Sequence, residues 1–135
     1  KAVFGNKDES KVQGRIDSLI GAGTRIEGNI RFSGGLRIDG EVKGNVEASE
    51  GASSSTLVLS EQAQVEGIVC VAHMVSNGSV VGQVTVTEFL EMQSRAKIVG
   101  DVDYALIEMH QGAVIEGRLV HRGGKFMELK LAASN

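Results

Sequence analysis

Thr24-Arg-Ile26-Glu-Gly28-Asn-Ile30 is one of six related heptapeptides in the chain. The others are Gly40-Glu-Val42-Lys-Gly44-Asn-Val46, Ala63-Gln-Val65-Glu-Gly67-Ile-Val69, Gly78-Ser-Val80-Val-Gly82-Gln-Val84, Ala96-Lys-Ile98-Val-Gly100-Asp-Val102 and Ala113-Val-Ile115-Glu-Gly117-Arg-Leu119. Each reads small-x-[Ile/Val]-x-Gly-x-aliphatic. The central glycines are 16, 23, 15, 18 and 17 residues apart, and the long interval holds the serine-rich stretch 49–55, which reads as a loop added to an ordinary repeat. Leu36-Arg-Ile38-Asp-Gly40-Glu-Val42 fits the same pattern, so between Gly28 and Gly67 the phase is open by one strand. A fixed period of this length is the signature of a stacked repeat architecture.

The aliphatics stand two residues either side of each glycine, with mostly polar or charged residues between them. That is the alternation of a strand with one buried face. The inward set is Ile26, Ile30, Val42, Val46, Val65, Val69, Val80, Val84, Ile98, Val102, Ile115 and Leu119. Glycine lets the chain turn where no side chain fits, and the small residue four positions earlier suits a second corner. A further apolar segment follows, at Leu57-Val-Leu59, Met74-Val75, Phe89-Leu90 and Leu106-Ile107, which makes three short strands per turn. One such rung cannot hide its apolar face, but parallel stacking at ~4.8 Å buries a continuous column. Each buried aliphatic contributes about 1.5–3 kcal/mol. The expected fold is therefore all-β, a β-solenoid of about six rungs. An antiparallel sandwich or barrel also uses short alternating strands, but has no reason to repeat one heptapeptide. Glycine and β-branched residues exclude a helical domain, outside the tail 124–133.

The composition agrees. A chain of 135 residues holds one domain, and 41% hydrophobic content supplies a core. With 18 glycines, no proline and only five aromatics (Phe4, Phe32, Phe89, Tyr104, Phe126), that core must be narrow and aliphatic. Seventeen acids and 14 bases are mixed along the chain for a net charge of −3, which leaves no basic stripe for nucleic acid. The single cysteine, Cys70, cannot form an internal disulfide and reads as a small hydrophobe in a strand. No apolar run reaches bilayer length, and the N-terminus lacks the apolar centre of a signal peptide, so a cytoplasmic location is expected.

Catalytic constellations are thin. His73, His110 and His121 have no partner at metal-ligand spacing, and there is no Gly-x-Ser-x-Gly or nucleotide-binding Gly-x-x-x-x-Gly-Lys-[Ser/Thr]. The acids beside the glycines (Glu27, Asp39, Glu66, Glu116) read as outward residues of amphipathic strands, and Asn77-Gly-Ser79 as a turn. No enzyme, cofactor, nucleotide or metal is expected. The rival enzyme, a left-handed hexapeptide-repeat acyltransferase, would keep an unbroken six-residue spacing over several turns. A solenoid that binds a protein or glycan on its outer faces without polymerising is the other alternative.

The ends carry the functional expectation. Solenoids that remain monomeric cover their terminal strand edges with atypical repeats. Here the first rung opens directly with Leu19-Ile20 and the last still follows the repeat. Rung-on-rung stacking between subunits, through Leu19, Ile20, Leu119, Val120 and the nearby Phe126, would give an open linear homopolymer.

The order and spacing of Leu19-Ile20-Gly-Ala-Gly-Thr24-Arg-Ile-Glu-Gly28, Gly35-Leu-Arg-Ile-Asp-Gly40-Glu-Val-Lys-Gly44-Asn-Val46 and Gly112-Ala-Val-Ile-Glu-Gly117 resemble the bactofilins, bacterial cytoskeletal proteins, over about residues 18–122. The resemblance implies a right-handed, triangular β-helix (18–122) between disordered tails (1–17 and 123–135). It also implies nucleotide-independent, end-to-end filaments that scaffold cell shape, envelope synthesis or polar localisation, with cell-wall or polar proteins as clients. Val3 and Phe4, beside Lys1 and Lys7, are similar to the segment by which many members associate with the inner membrane. One aromatic and two lysines bind a bilayer weakly, so attachment would need the avidity of a polymer.

Overall fold

The computed structural model describes residues 15–49, 51 and 54–122. Fifteen strands and no helix are found there: β1 Ser18–Ile20, β2 Arg25–Glu27, β3 Ile30–Phe32, β4 Gly35–Ile38, β5 Glu41–Lys43, β6 Val46–Ala48, β7 Thr56–Leu59, β8 Gln64–Glu66, β9 Val69–Ser76, β10 Ser79–Val81, β11 Val84–Met92, β12 Lys97–Val99, β13 Val102–Met109, β14 Val114–Glu116 and β15 Leu119–His121. Every pairing is parallel. The chain winds through six rungs of three strands each. One face is the six-stranded ladder β2-β5-β8-β10-β12-β14. The long strands β9, β11 and β13 bend across a corner and serve both other faces, which joins these into one nine-stranded sheet.

The heptapeptide glycines lie directly over one another. Gly28, Gly44, Gly67, Gly82, Gly100 and Gly117 have φ between 140° and 157°, a conformation that L side chains rarely adopt. From Gly44 onward a Cβ on each would overlap the carbonyl of the glycine one rung below. This settles the phase: Gly40 belongs to a different corner. There the connections are either four residues, as at 60–63, or two, Asp39-Gly40 and Asn77-Gly78. A two-residue corner pulls its glycine onto the rung below, where a Cβ would meet backbone carbonyls of Gly21 and Thr24, or of Ser60 and Ala63.

The uneven glycine intervals follow from the corners alone. The shortest, 15, combines a one-residue bend (Ala72) with the corner Asn77-Gly78. The interval of 18 carries a four-residue corner and one extra residue at Thr87-Glu88, where the β11 register shifts between Val86 and Phe89. The interval of 23 holds the 49–55 connection.

Register converts the alternation into five inward columns. Ile26-Val42-Val65-Val80-Ile98-Ile115 fills one face. Ile30-Val46-Val69-Val84-Val102-Leu119 and Phe32-Ala48-Val71-Val86-Tyr104-His121 fill the second. Leu36-Leu57-Met74-Leu90-Ile107 and Ile20-Ile38-Leu59-Ser76-Met92-Met109 fill the third. In the middle rungs these side chains are almost wholly buried. Ser76 interrupts an apolar column, and its Oγ accepts the Gly78 N–H at 3.2 Å, which keeps its hydroxyl satisfied. Cys70 lies in a strand, as its sequence context suggests, where it is half-buried at an outward position between Glu47 and Thr85.

Side chains also join the rungs. Asn29 Oδ1 accepts the Asn45 N–H (2.8 Å), Asn45 Oδ1 that of Ile68 (2.9 Å), and Asp101 Oδ1 that of Arg118 (3.0 Å), all at the residue after the glycine. At the first rung Asp17 Oδ2 accepts the Gly35 N–H at 2.9 Å. Both aspartates are held below the ordinary carboxyl value of 3.8, chiefly by these amide hydrogen bonds and secondarily by Arg15 and Arg118.

Two outcomes follow. Gly82→Ala should destabilise the fold by more than the ~1–3 kcal/mol expected from backbone strain alone, because it also overlaps Gly67. Gly28→Ala, with nothing within 4 Å of its Cβ, should cost only the strain term, and chemical denaturation of the two variants measures the difference. A carboxylate more acidic in the folded chain stabilises it above the unfolded value of 3.8, and that contribution is lost as pH falls through the folded value. Asp101→Asn keeps an oxygen acceptor, as Asn29 and Asn45 do, but cannot titrate. Melting temperature should therefore fall less steeply for this variant than for the parent chain as pH drops below about 4.

Candidate functional site

The two terminal rungs are where the columns stop. In the first, Ile20 is 9% exposed, whereas Ile26 and Ile30 are half-buried, because β1, β2 and β3 each have a partner strand on one side only among the described residues. In the last, Ile107 and Ile115 are half-buried, and Met109 and Leu119 reach 41% and 50% exposure. Their column neighbours one rung inward, Leu90, Ile98, Met92 and Val102, are at 0%. Each end therefore presents a cross-section of the apolar core, rimmed by backbone groups of three strand edges that in every interior rung bond to a further strand.

The four described residues singled out from sequence fall into two classes. Ile20 and Leu119 are inward members of columns, so they face the end sections. Leu19 (60% exposed) and Val120 (46%) point outward, Leu19 in line with Arg37 and Val58 and Val120 in line with Asp103. Phe126, Val3 and Phe4 lie outside the described residues. Residues with the geometry of end contacts that the sequence reading did not select are Ile26, Ile30, Ile107, Met109 and Ile115. For Ile26, Ile30 and Ile115 the repeat itself was the available signal, since each occupies an inward position of the first or last copy, whereas Ile107 and Met109 lie in the less regular strand that precedes the last copy. Gly28 belongs with them: at every other ladder glycine a Cβ would strike the rung below, so at Gly28 it projects beyond the first rung.

The flanks of the first rung are tied down. Asp17 N–H donates to Gly35 O at 2.9 Å while its carboxylate receives the Gly35 N–H, which clasps the chain entering β1 to the second rung. At the other end His121 closes a column with its ring edge-on to Tyr104 (5.3 Å between centroids), and Arg122 N–H donates to Tyr104 O.

The outer faces carry a set of ion pairs among polar and apolar residues. Arg25–Glu41, Arg31–Glu47 and Lys97–Glu116 join neighbouring rungs, and Arg95 reaches over the short Asn77-Gly78 corner to Glu61 two rungs away. These exposed pairs contribute about 0–1 kcal/mol each. The acids beside the glycines, Glu27, Glu66 and Glu116, form part of one outward column. A shallow cleft lined by Arg37, Asp39, Ser60, Glu61 and Gln62 carries an Arg37–Asp39 ion pair (2.9 Å) and no imidazole. His110 is the histidine whose surroundings sequence spacing did not disclose, because Glu91 lies 3.0 Å from it across a rung boundary. Among the described residues no helix is long and apolar enough to cross a membrane.

Comparison with known proteins identifies a family. The family model for Bactofilin, described as polymer-forming cytoskeletal, matches residues 18–120. Bactofilin BacP of Myxococcus xanthus (strain DK1622) is 26% identical over 103 residues, covering 76% of this chain and 41% of that protein. The chain thus spans about two fifths of the length of this curated relative. No solved structure matches it. With more than half of its length matched by the family model, the chain belongs to the bactofilins, a family of polymer-forming cytoskeletal proteins.

Proposed function

We propose that this chain is a non-enzymatic cytoskeletal subunit that assembles end to end into filaments, rung on rung, without nucleotide. The observation that carries the reading is the pair of apolar end sections, in which columns buried to 0% inside the solenoid emerge at Ile26 and Ile30 on one side and at Ile115 and Leu119 on the other. Covering them with another subunit would reuse the parallel ladders and aliphatic columns that hold each rung to the next, so no energy source beyond burial is required. The family's polymer-forming description points the same way. In this reading residues 18–122 are the assembly domain. The segments 1–17 and 123–135 are appendages, with Val3 and Phe4 giving weak membrane contact that polymer avidity amplifies and Phe126 packing at the junction. The filament serves as a scaffold for cell shape, envelope synthesis or placement of client proteins, at the cytoplasmic surface of the inner membrane.

A solenoid that binds partners without polymerising is favoured by one observation: Ile68, Val81 and Val114 are exposed apolar residues along the glycine corner and its adjoining face, 42–51% accessible. Variants at the ends separate the two readings. Leu119→Arg and Phe126→Arg should each convert filaments, seen by negative-stain microscopy of nucleotide-free protein, into small oligomers with an unchanged circular dichroism spectrum. Gly28→Ala adds one methyl to the end section with no clash inside the subunit and should shorten filaments likewise. Filaments that persist in all three variants would place the junction elsewhere, and a parent chain that stays monomeric would favour the binding module.

A further inference from the structure

We propose that Glu91, Glu108 and His110 form a binding site for a zinc-class divalent cation on the outer surface of the last two rungs. Glu91 and Glu108 are opposite one another in the β11–β13 ladder, both at the outward position, so parallel stacking holds two carboxylates about 4.8 Å apart along the solenoid axis. Like charges directly opposite are destabilising. The ladder acids Glu41, Glu47, Asp103 and Glu116 each pair with an arginine or lysine, whereas among the described residues the ion-pair partner of both Glu91 and Glu108 is the single imidazole of His110. One imidazole can supply at most one positive charge to the pair. A divalent cation neutralises both.

The geometry fits coordination. His110 Nε2 lies 3.0 Å from Glu91 Oε2 and 3.4 Å from Glu108 Oε2, and one ligand atom from each of the three residues falls within 4.8 Å of the others. A tetrahedral zinc with bonds of ~2.0–2.1 Å separates its ligand atoms by about 3.3–3.4 Å, so two of the three edges need almost no adjustment. The site is also held in place. Glu91 and Glu108 are fixed by ladder register, and the His110 N–H donates to Met92 O at 2.8 Å, which clamps the corner carrying the imidazole. The Glu91 side chain is only 17% exposed, while His110 and Glu108 face solvent, which leaves the fourth position to water. One imidazole with two carboxylates suits zinc or a neighbouring transition ion, whereas calcium takes six to eight oxygens. This inference stands apart from the assembly reading, since the three residues lie on the outer surface of each subunit.

The test uses the full chain without an affinity tag, titrated with zinc chloride by calorimetry near neutral pH and with cobalt chloride by visible absorption. One zinc per chain with Kd on the order of micromolar is expected, together with the absorption of a tetrahedral cobalt site. Glu91→Gln and His110→Ala should each weaken zinc binding by about tenfold or more, and His73→Ala should leave it unchanged. Circular dichroism of each variant checks that the exposed substitutions leave the fold intact. If the parent chain bound zinc no more tightly than the Glu91→Gln/His110→Ala double variant, or if His73→Ala weakened binding as much as His110→Ala, the cluster would be a plain histidine–glutamate ion pair and the proposal would fail.

Discussion

The close approach of backbone to backbone along the glycine column is the constraint on which the rest depends. At each of these positions the chain turns with φ near +150°, and from Gly44 onward it lays its α-carbon against the carbonyl of the glycine one rung below. No side chain fits in that geometry, so the column admits one residue type and forbids sliding between rungs: any shift by one residue would put a Cβ into a carbonyl. Once the glycines are in line, the residues two positions either side fall into line as well, and alternating aliphatics become continuous buried columns. The Asn29, Asn45 and Asp101 side chains then supply acceptors to the amides just beyond the turn. Packing and polar satisfaction both follow from the same alignment.

How much of this was legible in the sequence depended on whether the relevant neighbour was one period away. The strand pattern, the inward set and the six-rung count needed only the heptapeptide, and the structure has all of them. The Gly40 ambiguity arose because two different corners can both end in Gly-x-Val, and only the rung below, with its carbonyls at Gly21 and Thr24, tells them apart. Variable corner lengths blurred the period but never reached the strands. The choice of end residues was half informative for a related reason. Leu19-Ile20 and Leu119-Val120 are adjacent pairs, and in a strand adjacent residues face opposite sides, so a pair of aliphatics at a terminus necessarily contains one residue that points away from the end section. The Glu91–His110 approach was invisible because its partners meet through the rung offset, at a separation that changes with every corner insertion.

In the assembly proposed above, the function lies in what the two end sections can do. Most side chains with chemistry face outward as screened ion pairs, while the strongest unspent driving force is the apolar cross-section at each terminus. The interior rungs already show what satisfies such a section: another rung, parallel, in register, with its glycine over the last one. The most direct measurement is therefore the axial repeat of the assembled state, by diffraction or cryo-electron microscopy of nucleotide-free protein. Stacked rungs predict strands perpendicular to the filament axis with an unbroken axial spacing of about 4.8 Å through the junctions between subunits. Strands running along the axis, or a gap wider than one rung at every junction, would contradict the account.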